Sequence, residues 1–163
     1  MKKHSKEDRV TMAAWAADCA ERVLPLFDEA YPGDGRPRRA IEACRTWVRT
    51  GVFSMAEIRG ASLGAHAAAR DAEEGSAAQF AARAAGQAVA TAHVSQHAYG
   101  AAYYALKAVA AADPANAGVN VAREREWQAE RLPEGLREEI MERIVVVEHG
   151  GGFVVRLRKG EGF

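Results

Sequence analysis

Four side chains in the middle of the chain have the types and spacing for chemistry. His93 and His97 lie four residues apart in an alanine-rich run, so on one helix they share a face, with Tyr104 on or near the same stripe. Two imidazoles at that spacing can hold a metal when a third ligand arrives from elsewhere, and His66 is the candidate third. The run itself, His93-Val94-Ser95-Gln96-His97, lacks the glutamate of a zinc-protease motif. The nearest acids in sequence, Glu74 and Asp113, are many helical turns away, so no local carboxylate fixes the ring tautomers. The reading is therefore no metal and no cofactor, with the histidines packing between helices or meeting a partner.

A second cluster, Asp34, Arg36, Arg38, Arg39 and Glu42, surrounds the start of a helix, and Arg45 and Arg49 continue it. Guanidinium forks there could recognise carboxylate or phosphate groups. The favoured alternative is ion pairing with Asp18 or Glu21 of the preceding helix. Gln87, Thr91 and Ser95 form a polar stripe at four-residue spacing, either solvated or an interhelical hydrogen-bond seam. No glycine-rich phosphate loop, paired-cysteine zinc site or Ser–His–Asp signature is visible. Gly150-Gly151-Gly152 precedes a strand-like run rather than a helix, so it is a turn.

Periodicity supplies the elements that must position these groups. Met12, Ala16, Cys19, Val23 and Phe27 make one face of a helix from about Ser5 to Ala30, with a kink or break expected at Pro25. Pro37 opens a second helix with Ile41, Cys44, Trp47 and Val48 inward, and Gly51 caps it. Trp15 and Trp47 are read as core. Ser54-Met55-Ala56-Glu57 has capping-box spacing and opens a third helix, reaching about Glu74. A second box, Ser76-Ala77-Ala78-Gln79, opens a long fourth helix expected to run to Ala112, where Asp113-Pro114 stops it. Gly86 and Gly100 are points where it bends or lets a neighbour close. A fifth helix spans about Gly118 to Arg131 with Trp127 as its large anchor, and Pro133 starts a sixth with Leu136, Ile140 and Ile144 in the core. The β-branched runs Ile144–Val147 and Phe153–Arg158 then read as a β-hairpin, with a frayed helix end and tail as the alternative.

The fold class is thus all-α: a bundle of about six helices over 1–148, and a tail or hairpin arm over 149–163. At 163 residues the chain fits one domain that needs no staples. Alanine, about a fifth of it, favours helix and lets helices approach closely. Lys plus Arg and Asp plus Glu both number 22, a balance that argues against nucleic acid as a partner. Cys19 and Cys44 fall inside apolar helical patterns and are read as reduced core residues. No apolar leader follows Met1, and no stretch is long and apolar enough for a membrane, so a cytoplasmic protein is expected.

Trp15–Leu24, Arg36–Trp47 and, most closely, Ala85–Val94 continuing through His97 to Tyr104–Ala108 resemble one family of small bacterial helical proteins. It is the immunity-five-like family of immunity proteins in bacterial polymorphic toxin systems. The likeness covers most of residues 10 to 137 and not the segment after Glu148. It implies a non-enzymatic protein that binds and neutralises a cognate toxin made by the same or a sister cell. It names neither the toxin nor the contact residues. From the residues alone the binding candidates are Asp18, Arg36, Arg38, His66, His93, His97 and Tyr104, with no catalytic residue. Two other readings stand beside this one. One is a small metal-dependent enzyme using His66, His93 and His97. The other is a scaffold that forms a homodimer through its alanine-rich faces or its hairpin.

Overall fold

A computed structural model describes residues 3–158. Helix accounts for 72% of the architecture, far above the globular average of roughly a third. The helices are α1 (Lys6–Ala30), α2 (Arg36–Thr50), α3 (Met55–Asp71), α4 (Ala77–Ala90), α5 (His97–Ala112), α6 (Ala117–Glu130) and α7 (Glu134–Met141). A short 3-10 turn, Pro114–Asn116, precedes α6, and strands β1 (Ile144–His149) and β2 (Gly152–Leu157) end the described chain. Residues 159–163 of the expected arm, and Met1 and Lys2, lie outside the described residues. No described helix is long and apolar enough to cross a membrane.

Local chemistry sets most boundaries. Ser5 and Asp8 form a reciprocal capping box at α1, and Ser54 and Ser76 cap α3 and α4 through Glu57 N–H and Gln79 N–H. Gly51 takes a left-handed conformation and ends α2. Pro25 does not break α1: it lies on the exposed face, where the carbonyl it leaves unpaired can meet solvent. α3 stops at Asp71, short of Glu74.

The expected long fourth helix is two helices. α4 ends at Ala90, a tight turn occupies 91–96, and α5 returns along α4. The turn contains neither Pro nor Gly, so its cause is tertiary. Arg9 of α1 donates to the Ala92 carbonyl (3.1 Å), taking an acceptor that a continuing helix would need. His4 holds Ser95 Oγ through Nδ1 (2.8 Å), and the buried Thr91 hydroxyl donates back to the Gln87 carbonyl (3.1 Å).

α4 is the central helix, packed by α1, α2, α3 and α5. Ala78, Ala81, Ala82, Ala84, Ala85, Ala88 and Val89 are all buried, and the row Gln79, Arg83 and Gln87 gives the helix one half-buried polar edge. Larger side chains, among them Met12, Trp15, Phe27, Tyr99, Leu106, Ile140 and Ile144, fill the space around this alanine centre. Cys19 and Cys44 are buried free thiols, and burial pushes the Cys44 thiol up to about 12. Trp127 packs against the core as the large anchor of α6, half-buried, with the guanidiniums of Arg22 (4.0 Å) and Arg131 (4.1 Å) over its ring.

The β-branched runs do form a hairpin. Ile144 faces Leu157, His149 faces Gly152, and Gly150 and Gly151 both take positive φ, which a two-residue I′ turn requires. Ile144 and Val155 join the main core, and the hairpin packs against α5, α6 and α7. The Phe153 ring lies on Gly118 of α6, where any Cβ would collide with it.

Candidate functional site

The three histidines meet, although not on one helical stripe. Folding α5 back at residues 91–96 puts His93 in the turn and His97 at the head of α5, both opposite α3. On α3 the four-residue spacing of Ile58, Ser62 and His66 makes one row, and that of Met55, Arg59 and Leu63 the next. Together with Ala90, His93 and His97 these rows line a pocket of about 390 Å³.

Each half-buried ring has defined partners. His97 Nδ1 is 2.7 Å from Gln87 Oε1; an amide oxygen only accepts, so Nδ1 carries the proton and Nε2 the lone pair. His66 Nδ1 accepts a long bond (3.4 Å) from the Arg83 guanidinium, which leaves its proton on Nε2. Burial, and then the charges of Arg83, Arg70 and His97, push His66 down to about 4. Burial and His93 push His97 down as well. Near pH 7 the His66 and His97 rings are therefore neutral, beside fixed guanidinium charge. His93 is exposed and stacks with Phe53 (centroids 6.5 Å apart).

Gly86 of α4 makes the pocket's depth possible. A Cβ there would stand 2.7 Å from His66 Nε2, and the Gly86 carbonyl accepts from Ser62 Oγ at 3.0 Å. Gly86→Ala gains about 1 kcal/mol of helix propensity but overpacks the site by about 1–3 kcal/mol. The expected result is a net loss of about 1 kcal/mol in urea unfolding, with a displaced His66 ring signal in NMR. A stabilised variant with an unchanged ring signal would contradict the packing.

The other sequence candidates are elsewhere. Tyr104 stacks on Phe80 (6.4 Å) and meets Tyr103 edge-on (5.0 Å). Asp18 binds Arg45 (2.8 Å), which also pairs with Glu21. Arg36 joins Asp34 (2.6 Å) and Asp71 (2.8 Å), and Arg38 pairs with Asp28. The hydrogen bond from Arg36 holds Asp34 below the usual carboxylate range. These arginines staple α1, α2 and α3 together, and the structure does not bring them to the histidines.

Two features escaped the sequence. The first is an apolar rim: Leu63 is 55% exposed, and Phe53 and Met55 are 44% exposed, all beside the pocket. Val52, 74% exposed, continues the rim into a neighbouring groove that shares Ile58. The legible signal was Leu63, which falls off the row of Ile58, Ala65 and Ala68 that α3 buries. The second feature is a chain of nucleophile, base and acid. His4 bonds Ser95 Oγ at 2.8 Å and Glu139 Oε1 at 3.1 Å. The His4 side chain is only 1% exposed and Ser95 is buried, so the group clasps the N-terminal segment to the 91–96 turn and α7. Among the described residues no set of three or more His, Cys, Asp and Glu side chains converges as a metal site.

A family model described as Imm-5 like putative immunity protein matches residues 2–135. The chain belongs to this family. No curated protein and no solved structure matches it. The Imm-5 like region includes α1 to α6 and the whole histidine pocket, and ends before the hairpin at Ile144.

Proposed function

We propose that the chain is a non-catalytic immunity protein that neutralises a cognate toxin by binding it through the face that carries the histidine pocket. The family match supports the general kind. The reading of the surface rests on one observation: Phe53, Met55 and Leu63 are exposed around a concave site. Exposed apolar residues grouped around a pocket are what partner anchors use, because their burial on binding supplies the affinity. The encounter is placed in the cytoplasm.

Co-purification with the product of the adjacent gene tests this. Wild-type chain is expected to retain that protein, whereas Leu63→Asp is expected to weaken the complex by about 30-fold, the scale of a hot-spot loss of about 2 kcal/mol. Because Leu63 is exposed, the same change should shift stability by no more than about 0.5 kcal/mol. A complex of unchanged affinity in a folded Leu63→Asp protein would move the interface elsewhere.

A further inference from the structure

The charged groups of this molecule are distributed unevenly. Along the α1–α2 side four arginines meet acids: Arg22 with Glu124, Arg36 with Asp34 and Asp71, Arg38 with Asp28, and Arg45 with Asp18 and Glu21. Arg39 and Arg49 of α2 meet none but stand exposed in solvent, whereas the arginines around His66 meet no acid at the edge of a concave site. Arg59 lines the pocket, is exposed, and makes no hydrogen bond or ion pair among the described residues. Arg83 is half-buried, and its hydrogen-bond partner is the His66 ring. Arg70 is exposed and close enough to act electrostatically on His66. The pocket lining contains Arg59, His66, His93 and His97 and no Asp or Glu. Half-burying a guanidinium without a counter-charge carries a desolvation cost that an arriving anion would offset.

We propose that this pocket receives an acidic side chain, Asp or Glu, of the partner protein, flanked by apolar residues that rest on Phe53, Met55 and Leu63. The unmatched guanidinium of Arg59, on the lining, supplies charge-assisted hydrogen bonds, and Arg83, held against His66 outside the lining, adds its uncompensated charge. The neutral His66 ring contributes Nε2–H as a further donor. The apolar rim excludes water from the contact, which strengthens it. The partner's chemistry follows from the lining: one carboxylate in an apolar setting rather than a chain of phosphates, since the unmatched charge is compact and bordered by Met and Leu. The inference rests on the binding face proposed above and specifies what that face selects.

Its test needs no knowledge of the toxin. Three blocked tripeptides, acetyl-Leu-Glu-Phe-amide and its Gln and Lys counterparts, are titrated into the full chain at pH 7, with inorganic phosphate as a fourth probe. The histidine ring signals are followed by NMR. The Glu peptide is expected to shift the rings of His66, His93 and His97 and to bind about tenfold or more tighter than the Gln peptide, the scale of one charge-assisted bond. The Lys peptide should produce no shift. Arg59→Gln, an exposed change that leaves the fold intact, and Arg83→Gln should each reduce the Glu-over-Gln preference. Equal binding of the Glu and Gln peptides would overturn the proposal, as would a preference that survives both substitutions, or no ring shifts at all. Phosphate binding as tightly with the same shifts would replace the carboxylate with a general anion site and overturn it too. If the toxin complex forms and depends on Leu63 while the peptides show no charge preference, only this inference fails and the proposed function stands.

Discussion

Trp15→Ala is expected to lower unfolding stability by about 5 kcal/mol, close to the whole stability of many small domains. Trp15 is 2% exposed in the middle of α1, and its indole Nε1–H donates to the Gln128 carbonyl of α6 at 2.8 Å. Truncation removes a large buried aromatic at about 3–5 kcal/mol. It also leaves a buried carbonyl without its donor, a further cost of about 1–3 kcal/mol. Gln128 itself is fully buried and already carries one unpaired amide oxygen, so the region has no spare polar partner to compensate. Trp15→Phe keeps most of the volume and should lose only about 2 kcal/mol, chiefly the hydrogen bond. Urea titration measures both. A loss under about 1.5 kcal/mol for the alanine variant would mean that α1 and α6 are not joined at this point.

The second large effect is a pH dependence. His66 sits near 4 in the folded protein and near 6.5 when unfolded. Its folded value is depressed, so the unfolded chain binds the proton first. The associated stability is fully present above about pH 6.5 and is lost as pH falls towards 4. Burial is the main cause, with Arg83, Arg70 and His97 adding repulsion, and His97 shifts in the same direction. After allowance for solvent screening at a half-buried ring, the His66 share between pH 7 and pH 4.5 is about 2 kcal/mol. His66→Gln should therefore lose about 2 kcal/mol less than wild type over that interval. Carboxylates that titrate in the same range cancel in the comparison. Parallel stability curves for the two proteins would show that the ring is not held neutral.

Much of the architecture was legible because it is written in local chemistry. Ser5, Ser54 and Ser76 announce helix starts, Gly51 an end, and the valine runs around Gly150-Gly151 a hairpin. The misreading of 77–112 as one helix has a different origin. Thr91 to Gln96 contains no residue that forbids helix, and the turn exists because Arg9 and His4 arrive from the distant N-terminal segment. Spacing alone therefore grouped His93 and His97 correctly for the wrong reason: they share a pocket across a turn, with His66 opposite. Tyr104 fell out of the site because Phe80 and Tyr103 hold its ring. For the arginines of α2 the favoured reading, ion pairing with the preceding helix, is the one found: Arg45 meets Asp18 and Glu21, Arg38 meets Asp28, and Arg36 reaches Asp71 of α3. The unmatched arginines, Arg59, Arg70 and Arg83, could not be told from the matched ones until the acids had been placed.

We propose that this Imm-5 like chain protects a cell by occupying its toxin through the pocket face. The direct measurement is growth of cells that express the neighbouring gene product, with the wild-type chain or with Met55→Asp plus Leu63→Asp supplied in trans at matched, folded levels. Rescue by the wild type and none by the double variant is the predicted result. Rescue by both would contradict the assignment of this face, and arrest relieved by neither would contradict the immunity function itself.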